Sequence, residues 1–446
     1  MSRLLTKAQL MCFFSFSYAR LLLDYMTSSK HDRASLVGDS DVVNGHRMAD
    51  GCDDAIVFYV ATVGEFKGIS SFIAQACTRW PQSQLVIIAG QARYIDSIAQ
   101  AYPDAVILPS PSVIQARRLF NQLSPRQVFI AEGPCLLNCF PIRLDLNLVA
   151  AACWRDIPVV VINAALHEHS VSSRLDALED RLFGSLHQRA ICYWYTASEY
   201  FSTLLREGSI VTSQIKELGD VKFENVFTSE LPPLSESFSK LLNNYQQDGA
   251  INIIGGSVNT IEEQRNLISS WLKLRETIPN ARLVLAPRQI HQPRTMQPLY
   301  AFLKQESIAY SKRSDGIEAS MDADLLILDV FGELSHFYSV ATICYVGINH
   351  GLLEPLRYNK PIIVAPDDEW KSTYVTYPQY QEMAKQKAIK QLTSNGQLTA
   401  AMQQLLLSTQ AKDELHRAAQ DYCAQKQGAS ERILNHIEQH VLQGTD

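Results

Sequence analysis

Two doubly wound α/β domains in tandem are the fold this sequence predicts, and three observations predict it. Short apolar runs of strand length alternate with amphipathic helical stretches through most of its 446 residues. One segment rich in Pro and Ser interrupts that rhythm near the middle. The chain, 46% hydrophobic, is too long for one ordinary core and comfortable for two.

The runs come in two series. AIVFYVA (55–61), QLVIIAG (84–90), AVILP (105–109), QVFIA (127–131), PVVVINA (158–164) and AICYWYTAS (190–198) form the first. INIIGG (251–256), RLVLAP (282–287), DLLILD (324–329), ATICYVG (341–347) and PIIVAP (361–366) form the second. Near-continuous apolar strands separated by helices imply parallel sheets buried on both faces. The expected domains are 51–228 and 250–446, with 229–249 as linker and a helical C-terminal stretch from about 391 to 442. In open α/β sheets ligands sit at the carboxyl ends of strands, so two such edges facing across a cleft would seat a donor and an acceptor. This is the GT-B arrangement.

A net charge of −6 and a pI near 6.0 argue against a dedicated nucleic-acid binder. Nine dispersed cysteines fit reduced thiols, and Cys135 with Cys139 lacks the second pair a zinc site needs. Residues 1–50 divide into an N-terminal helix and a polar stretch. The run from Ala8 to Tyr25 is broken by Arg20 and Asp24, which suits neither a bilayer span nor a secretory signal. Arg3, Lys7 and Arg20 among Phe13, Phe14, Phe16 and Tyr18 fit a helix at a membrane surface or one packed on the protein body.

Four strand–helix junctions hold residues that could carry chemistry. After the first strand, Gly64 gives a turn and Glu65 opens a helix, followed by Lys67. A carboxylate there can serve as a general base, although the helix dipole alone also favours an acid in a first turn. Pro287 and Arg288 end another strand, and the guanidinium could pair with a phosphate or simply lie on the surface. Gly332, Glu333 and Leu334 start a helix whose free N–H groups could bind an anion, as any such junction could. His350 and Glu354 follow a fourth strand, where Glu354 could accept ribose hydroxyls or act as a cap. His167, Glu168 and His169 give too few ligands for a metal assignment.

In order and context these segments resemble the 3-deoxy-D-manno-octulosonic acid (Kdo) transferase family, from about Ile56 to Ala388. ATVGEFKG (61–68) is similar to its S-V-G-E turn, LGDVKFEN (218–225) to G-N-L-K-F-D, and GGSVNTIEEQ (255–264), which contains Ser257, to A-S-T-H-x-G-E-E. VLAPRQIH (284–291) is similar to V-P-R-H. VFGELSHFYSVATICYVG (330–347) follows M-G-E-L-x-x-F-Y-x-x-A-D-V-x-F-V-G, the most specific match, and HGLLEPLRYNKPIIVAP (350–366) follows H-N-x-L-E-P-x-x-x-G-K-P-V.

The resemblance implies a metal-independent, inverting glycosyltransferase with no cofactor, moving an acidic sugar from a CMP-activated donor to a lipid A-type or related surface-glycan acceptor. It implies Glu65 as general base, and Ser257, Pro287, Arg288, Gly332, Glu333, Leu334, His350 and Glu354 around the donor. Gly64, Lys67, Glu132 and Lys222 would line the acceptor side, with the protein on the inner face of the inner membrane. Two departures fall in the first domain. E-T-E-L-W-P-N becomes Glu132-Gly133-Pro134-Cys135-Leu136-Leu137-Asn138, and N-A-R-L-S-x-R-S becomes Asn163-Ala164-Ala165-Leu166-His167-Glu168-His169-Ser170, without its arginines. They leave open another nucleotide-sugar donor, a capsule acceptor, or a non-catalytic homologue.

Overall fold

The computed structural model describes residues 2–27, 54–132, 146–165, 178, 181–183, 190–208, 210–228, 234–247, 249–371 and 376–442. The segments 133–138 and 166–170 singled out above lie outside these residues, as do Cys135 and Cys139. The chain divides into two compact units, Met1–Thr228 with Lys426–Asp446, and Ser229–Gln425.

The first unit is built on β1 (Ala55–Val60), β2 (Gln84–Ala89), β3 (Val106–Pro109), β4 (Pro125–Ala131), β5 (Val159–Ile162), β6 (Ile191–Thr196) and β7 (Ile215–Glu217). Every pairing is parallel, in the order β3-β2-β1-β4-β5-β6-β7. All six residues of β1 are buried because its two faces feed two cores. Val57 and Tyr59 pack with Val86, Ile130 and Val161 on one side. Ile56, Phe58 and Val60 pack with Phe72, Phe129 and Ile162 on the other. A strand covered on both sides cannot alternate apolar with polar, which is why these runs read as continuous.

The second unit repeats the plan with β8 (Ile251–Val258), β9 (Ala281–Pro287), β10 (Ser311–Lys312), β11 (Leu325–Ile327), β12 (Ile343–Val346), β13 (Ile362–Val364) and β14 (Lys390–Gln391). Its order is β10-β11-β9-β8-β12-β13-β14, again all parallel. In both sheets the first strand of the series is interior and its two neighbours come from opposite directions of winding. The crevice between β1 and β4, and that between β8 and β12, are therefore the switch points where such sheets bind ligands.

Two expectations about boundaries change. The stretch 229–249 is not all linker, since Glu236–Tyr245 is a helix of the second unit burying Phe238, Leu241, Leu242 and Tyr245. Those positions are spaced i, i+3, i+4, i+7, one helical face. The helix Ala429–Ile437 belongs to the first unit and not to the second. Ile433, Leu434 and Ile437 join the core around Ile69, Phe72 and Ile73. Polar ties fix the same helix: Glu224 accepts from the Ser430 N–H at 3.2 Å, and Arg432 Nε donates to the Leu218 carbonyl at 3.0 Å.

The N-terminal helix, Ser2–Thr27, packs on the first unit. Leu10, Phe13 and Phe14 are buried with Val113, Leu146 and Ala150. Its other face leaves Met11, Leu22, Leu23 and Met26 exposed. Among the described residues no helix is long and apolar enough to cross a membrane.

Candidate active site

The β1 turn is organised by Thr62. Its backbone is extended, and its hydroxyl accepts from the Glu65 N–H at 3.1 Å, capping the helix Val63–Arg79. Glu65 reaches back, and its Oε2 accepts from the Ala61 N–H at 2.7 Å. The reciprocal arrangement is a form of capping box. It fixes the carboxylate beside the switch point instead of letting it swing into solvent. Glu65 is 9% exposed. The Thr62 N–H also faces the carboxylate.

Across the switch point, β4 ends at Ala131, and buried Glu132 follows with a positive φ of 52°. Glu132 forms an ion pair with Lys222, whose stem lies on Gly68; a side chain there would displace it. Asn163, after β5, also has φ 52°. Its amide donates to Asp220 Oδ1 at 2.6 Å and its carbonyl oxygen accepts from the Val221 N–H at 3.1 Å. Asp220 Oδ1 also accepts from the Lys222 N–H at 2.8 Å. The result is three carboxylates gathered around one ammonium.

That imbalance governs the electrostatics. Burial, then the neighbouring Glu132 charge, push the Glu65 pKa up to about 7, against the opposing pull of the Ala61 N–H and Lys222. Burial also raises Asp220. Burial disfavours the Lys222 ammonium, but Glu132, Asp220 and Glu65 outweigh it and hold its pKa above the ordinary value. Glu65 is thus a carboxylate whose proton affinity lies near neutrality, where a general base works best. Gly64 and Lys67 lie exposed on the same helical turns.

In the second unit the turn after β8 has the same cap. Thr260 Oγ1 accepts from the Glu263 N–H at 3.1 Å, and Glu263 Oε2 accepts from the Asn259 N–H at 3.0 Å. Glu263 Oε1 is occupied too, by the Tyr345 hydroxyl at 3.0 Å and the Ile348 N–H at 2.9 Å. This buried carboxylate bolts β8 to β12 across the switch point. Ser257 there has φ 55°, and a side chain at Gly347 would strike its carbonyl.

Arg288, just beyond Pro287, donates from its backbone to the Val258 carbonyl at 3.0 Å. Its guanidinium donates to His350 Nε2 at 2.8 Å. A guanidinium only donates, so Nε2 must be unprotonated. Burial, reinforced by Arg288, lowers the His350 pKa to about 4. A pair made of a neutral imidazole and a guanidinium keeps one full positive charge at this edge.

The turn before the helix Leu334–Ser339 is held at both ends. Asp329 accepts from the Ser314 N–H at 2.9 Å and hydroxyl at 2.6 Å. Glu333 is gripped by Arg313 through two parallel bonds, 2.7 and 2.9 Å. Burial pushes the Glu333 pKa up and Arg313 offsets part of that. Gly332 between them has φ 87°, the left-handed region that favours glycine. Glu354 accepts from the Ser335 hydroxyl at 3.2 Å. The predicted residues thus gather at each unit's carboxyl edge, with Glu65, Glu132 and Lys222 in the first. Four partners escaped the sequence reading. Asn163, Asp220 and Glu263 stand inside quoted motifs, where their position after a strand or beside Lys222 was the available signal. Arg313 stands in none.

The two parallel sheets with switch points beside their first strands define the class, a two-unit GT-B fold. Solved structures agree on the fold. A Listeria monocytogenes protein ascribed to the UDP-N-acetylglucosamine 2-epimerases is 13% identical with a TM-score of 0.60, covering 88% of this chain and 98% of its own. An Anabaena protein solved with UDP-glucose is 11% identical with a TM-score of 0.57, covering 86% and 99%. A family model for 3-deoxy-D-manno-octulosonic-acid transferase (kdotransferase) matches residues 39–225. A 3-deoxy-D-manno-octulosonic acid transferase of Haemophilus influenzae is 22% identical over 407 residues, 86% of this chain and 87% of that protein. A Rickettsia felis protein of the same name is 22% identical over 323 residues, 70% of this chain and 64% of its own length. The chain is thus similar to the Kdo transferases over most of its length, and it is a glycosyltransferase.

Proposed function

We propose that this glycosyltransferase moves Kdo, or a closely related acidic sugar, from a CMP-activated donor to a lipid A-type or related surface-glycan acceptor, with inversion and without a metal. Similarity to Kdo transferases over most of the chain supports the sugar and the donor. The observation that carries the chemistry is Glu65, a buried carboxylate held at a switch point with a pKa near 7.

Glu65 takes the proton of the acceptor hydroxyl as the oxygen attacks the anomeric carbon. The bond from that carbon to the phosphate oxygen breaks on the opposite face, and CMP departs with the electron pair. Lys222 pairs with Glu132 and holds it beside Glu65, the carboxylate whose proton affinity lies near neutrality. Arg288 and the N–H groups at Gly332 to Leu334 balance the charge growing on the leaving phosphate, and Glu354 takes the ribose hydroxyls. A direct displacement of this kind inverts the anomeric centre.

The exposed apolar residues of the N-terminal helix support a position at the inner face of the inner membrane, where such an acceptor is reached. The test is mass spectrometry of the product from CMP-Kdo and a lipid A precursor, with and without a chelator. An adduct of one or more Kdo residues, insensitive to chelator and absent with Glu65→Gln, is expected. Transfer only from UDP- or GDP-sugars would remove the CMP assignment.

A further inference from the structure

We infer that Phe331, with His291 beside it, is the platform on which the pyrimidine ring of the donor stacks. The inference rests on the CMP-donor reading above and assigns it a residue that sets nucleotide affinity.

Phe331 is 76% exposed. A single exposed apolar side chain is ordinary on a protein surface. What sets this one apart is how it is held. Asp329, two residues before it, is fixed by two bonds from Ser314, and Glu333, two residues after it, by two bonds from Arg313. Arg313 is itself backed by the Phe238 ring, 5.6 Å away. Between these clamps, Gly332 takes a left-handed conformation and Phe331 stands out from the protein. A turn anchored on both sides presents its central side chain with little conformational freedom left to lose on binding, which is how rigid aromatic platforms gain affinity.

Its position adds the second half. Phe331 follows β11, and β11 pairs with β9, the strand that delivers Pro287 and Arg288. His291, from the loop after β9, lies with its ring centre 6.2 Å from that of Phe331 and inclined at 36°. Two planar groups from adjacent strand ends thus meet at the carboxyl edge. They share it with the Arg288–His350 pair, which offers positive charge to a phosphate. A flat ring attached to a phosphate fits this combination, and stacking on an exposed aromatic face needs no hydrogen-bond code.

The experiment is equilibrium titration of the full-length protein with two probes, CMP and ribose 5-phosphate, which lacks the base. Phe331 is exposed, so Phe331→Ala should fold normally. It is expected to weaken CMP about tenfold or more while leaving ribose 5-phosphate unchanged. Phe331→Trp is expected to restore CMP affinity and to show tryptophan fluorescence quenched by CMP but not by ribose 5-phosphate. Wild-type affinity for CMP in Phe331→Ala would overturn the platform and leave the donor reading intact. Equal loss of both probes would overturn it too, since the residue would then act through the turn. A wild-type protein that binds no CMP would overturn both.

Discussion

Glu65 and Glu263 occupy the same position in the same device, built once in each unit. Each stands three residues after a capping threonine, Thr62 or Thr260, and each accepts from the N–H four residues back, at 2.7 Å from Ala61 and 3.0 Å from Asn259. Their difference lies in the second oxygen. In Glu263 it is spent on Tyr345 and Ile348. Glu65 has no counterpart of that tyrosine among the described residues, and Lys222 and Glu132 act on it through their charges instead. One duplicated turn has yielded a structural bolt and the carboxylate proposed here as the base.

Glu65→Gln should abolish transfer and stabilise the protein. The amide oxygen can still accept from Ala61, so the cap survives, but no proton can be taken, and kcat/KM should fall about a hundredfold or more. In the native protein kcat/KM should rise with pH through about 7, as Glu65 ionises. The stability effect has a definite sign. The folded pKa of about 7 lies above the ordinary 4.5, so ionisation costs stability as pH rises from 4.5 to 7, and the cost then stays constant. Removing the charge should gain roughly 3 kcal/mol above pH 7 and little below pH 4.5. Urea unfolding at pH 4.5 and pH 8 measures it, and an equal shift at both would contradict the assignment.

Glu263→Ala should behave oppositely. It strands the N–H groups of Asn259 and Ile348 and the Tyr345 hydroxyl, at a cost of about 3 kcal/mol. A fall in Tm of several degrees is expected, with the pH at half-maximal kcat/KM unmoved. A displaced pH profile with unchanged Tm would show that the two glutamates had been assigned the wrong way round.

Arg313→Lys should raise the donor KM about tenfold with little change in kcat, the signature of lost binding shared by ground and transition states. Lysine cannot reproduce the two parallel bonds to Glu333, so the Gly332 turn loses one clamp. Steady-state kinetics with varied donor reads the split. A fall in kcat alone would assign Arg313 a part in the chemical step.

Replacing Leu22 and Met26 together by serine tests the proposed membrane face. Both side chains are over 60% exposed, while Leu10, Phe13 and Phe14 hold the helix to the first unit from the other side. The double variant should keep its Tm and lose flotation with vesicles containing anionic lipid. Deleting the helix would be a poorer test, because it also strips a packed face. Undiminished flotation would exclude these residues as the contact.

Much of this was legible in the sequence, and the exceptions have physical causes. The central strands announce themselves because burial on two faces demands unbroken apolar runs. The edge strands β7, β10 and β14, reading IKE, SK and KQ, carry no such demand and pass for loops. The helix Glu236–Tyr245 carries a readable apolar face, hidden by the serines and prolines around it. The stripe of Ile433, Leu434 and Ile437 is equally clear, but a stripe does not say which sheet it will cover. Site residues at strand ends were visible for the same topological reason as the strands. Arg313 was not, because its meaning comes from a partner twenty residues away.

The return of Ala429–Ile437 to the first unit orders events during synthesis. The wall of Ile69, Phe72 and Ile73 is made early, yet its cover, Ala429–Ile437, is translated only after the whole of residues 229–425. At about 5–20 residues per second the ribosome spends roughly 10–40 s on that stretch. Throughout that interval a nascent chain carries an uncovered greasy wall on its first half while its second half folds to completion. A chaperone that shields this wall until Ala429–Ile437 leaves the exit tunnel would bridge that interval.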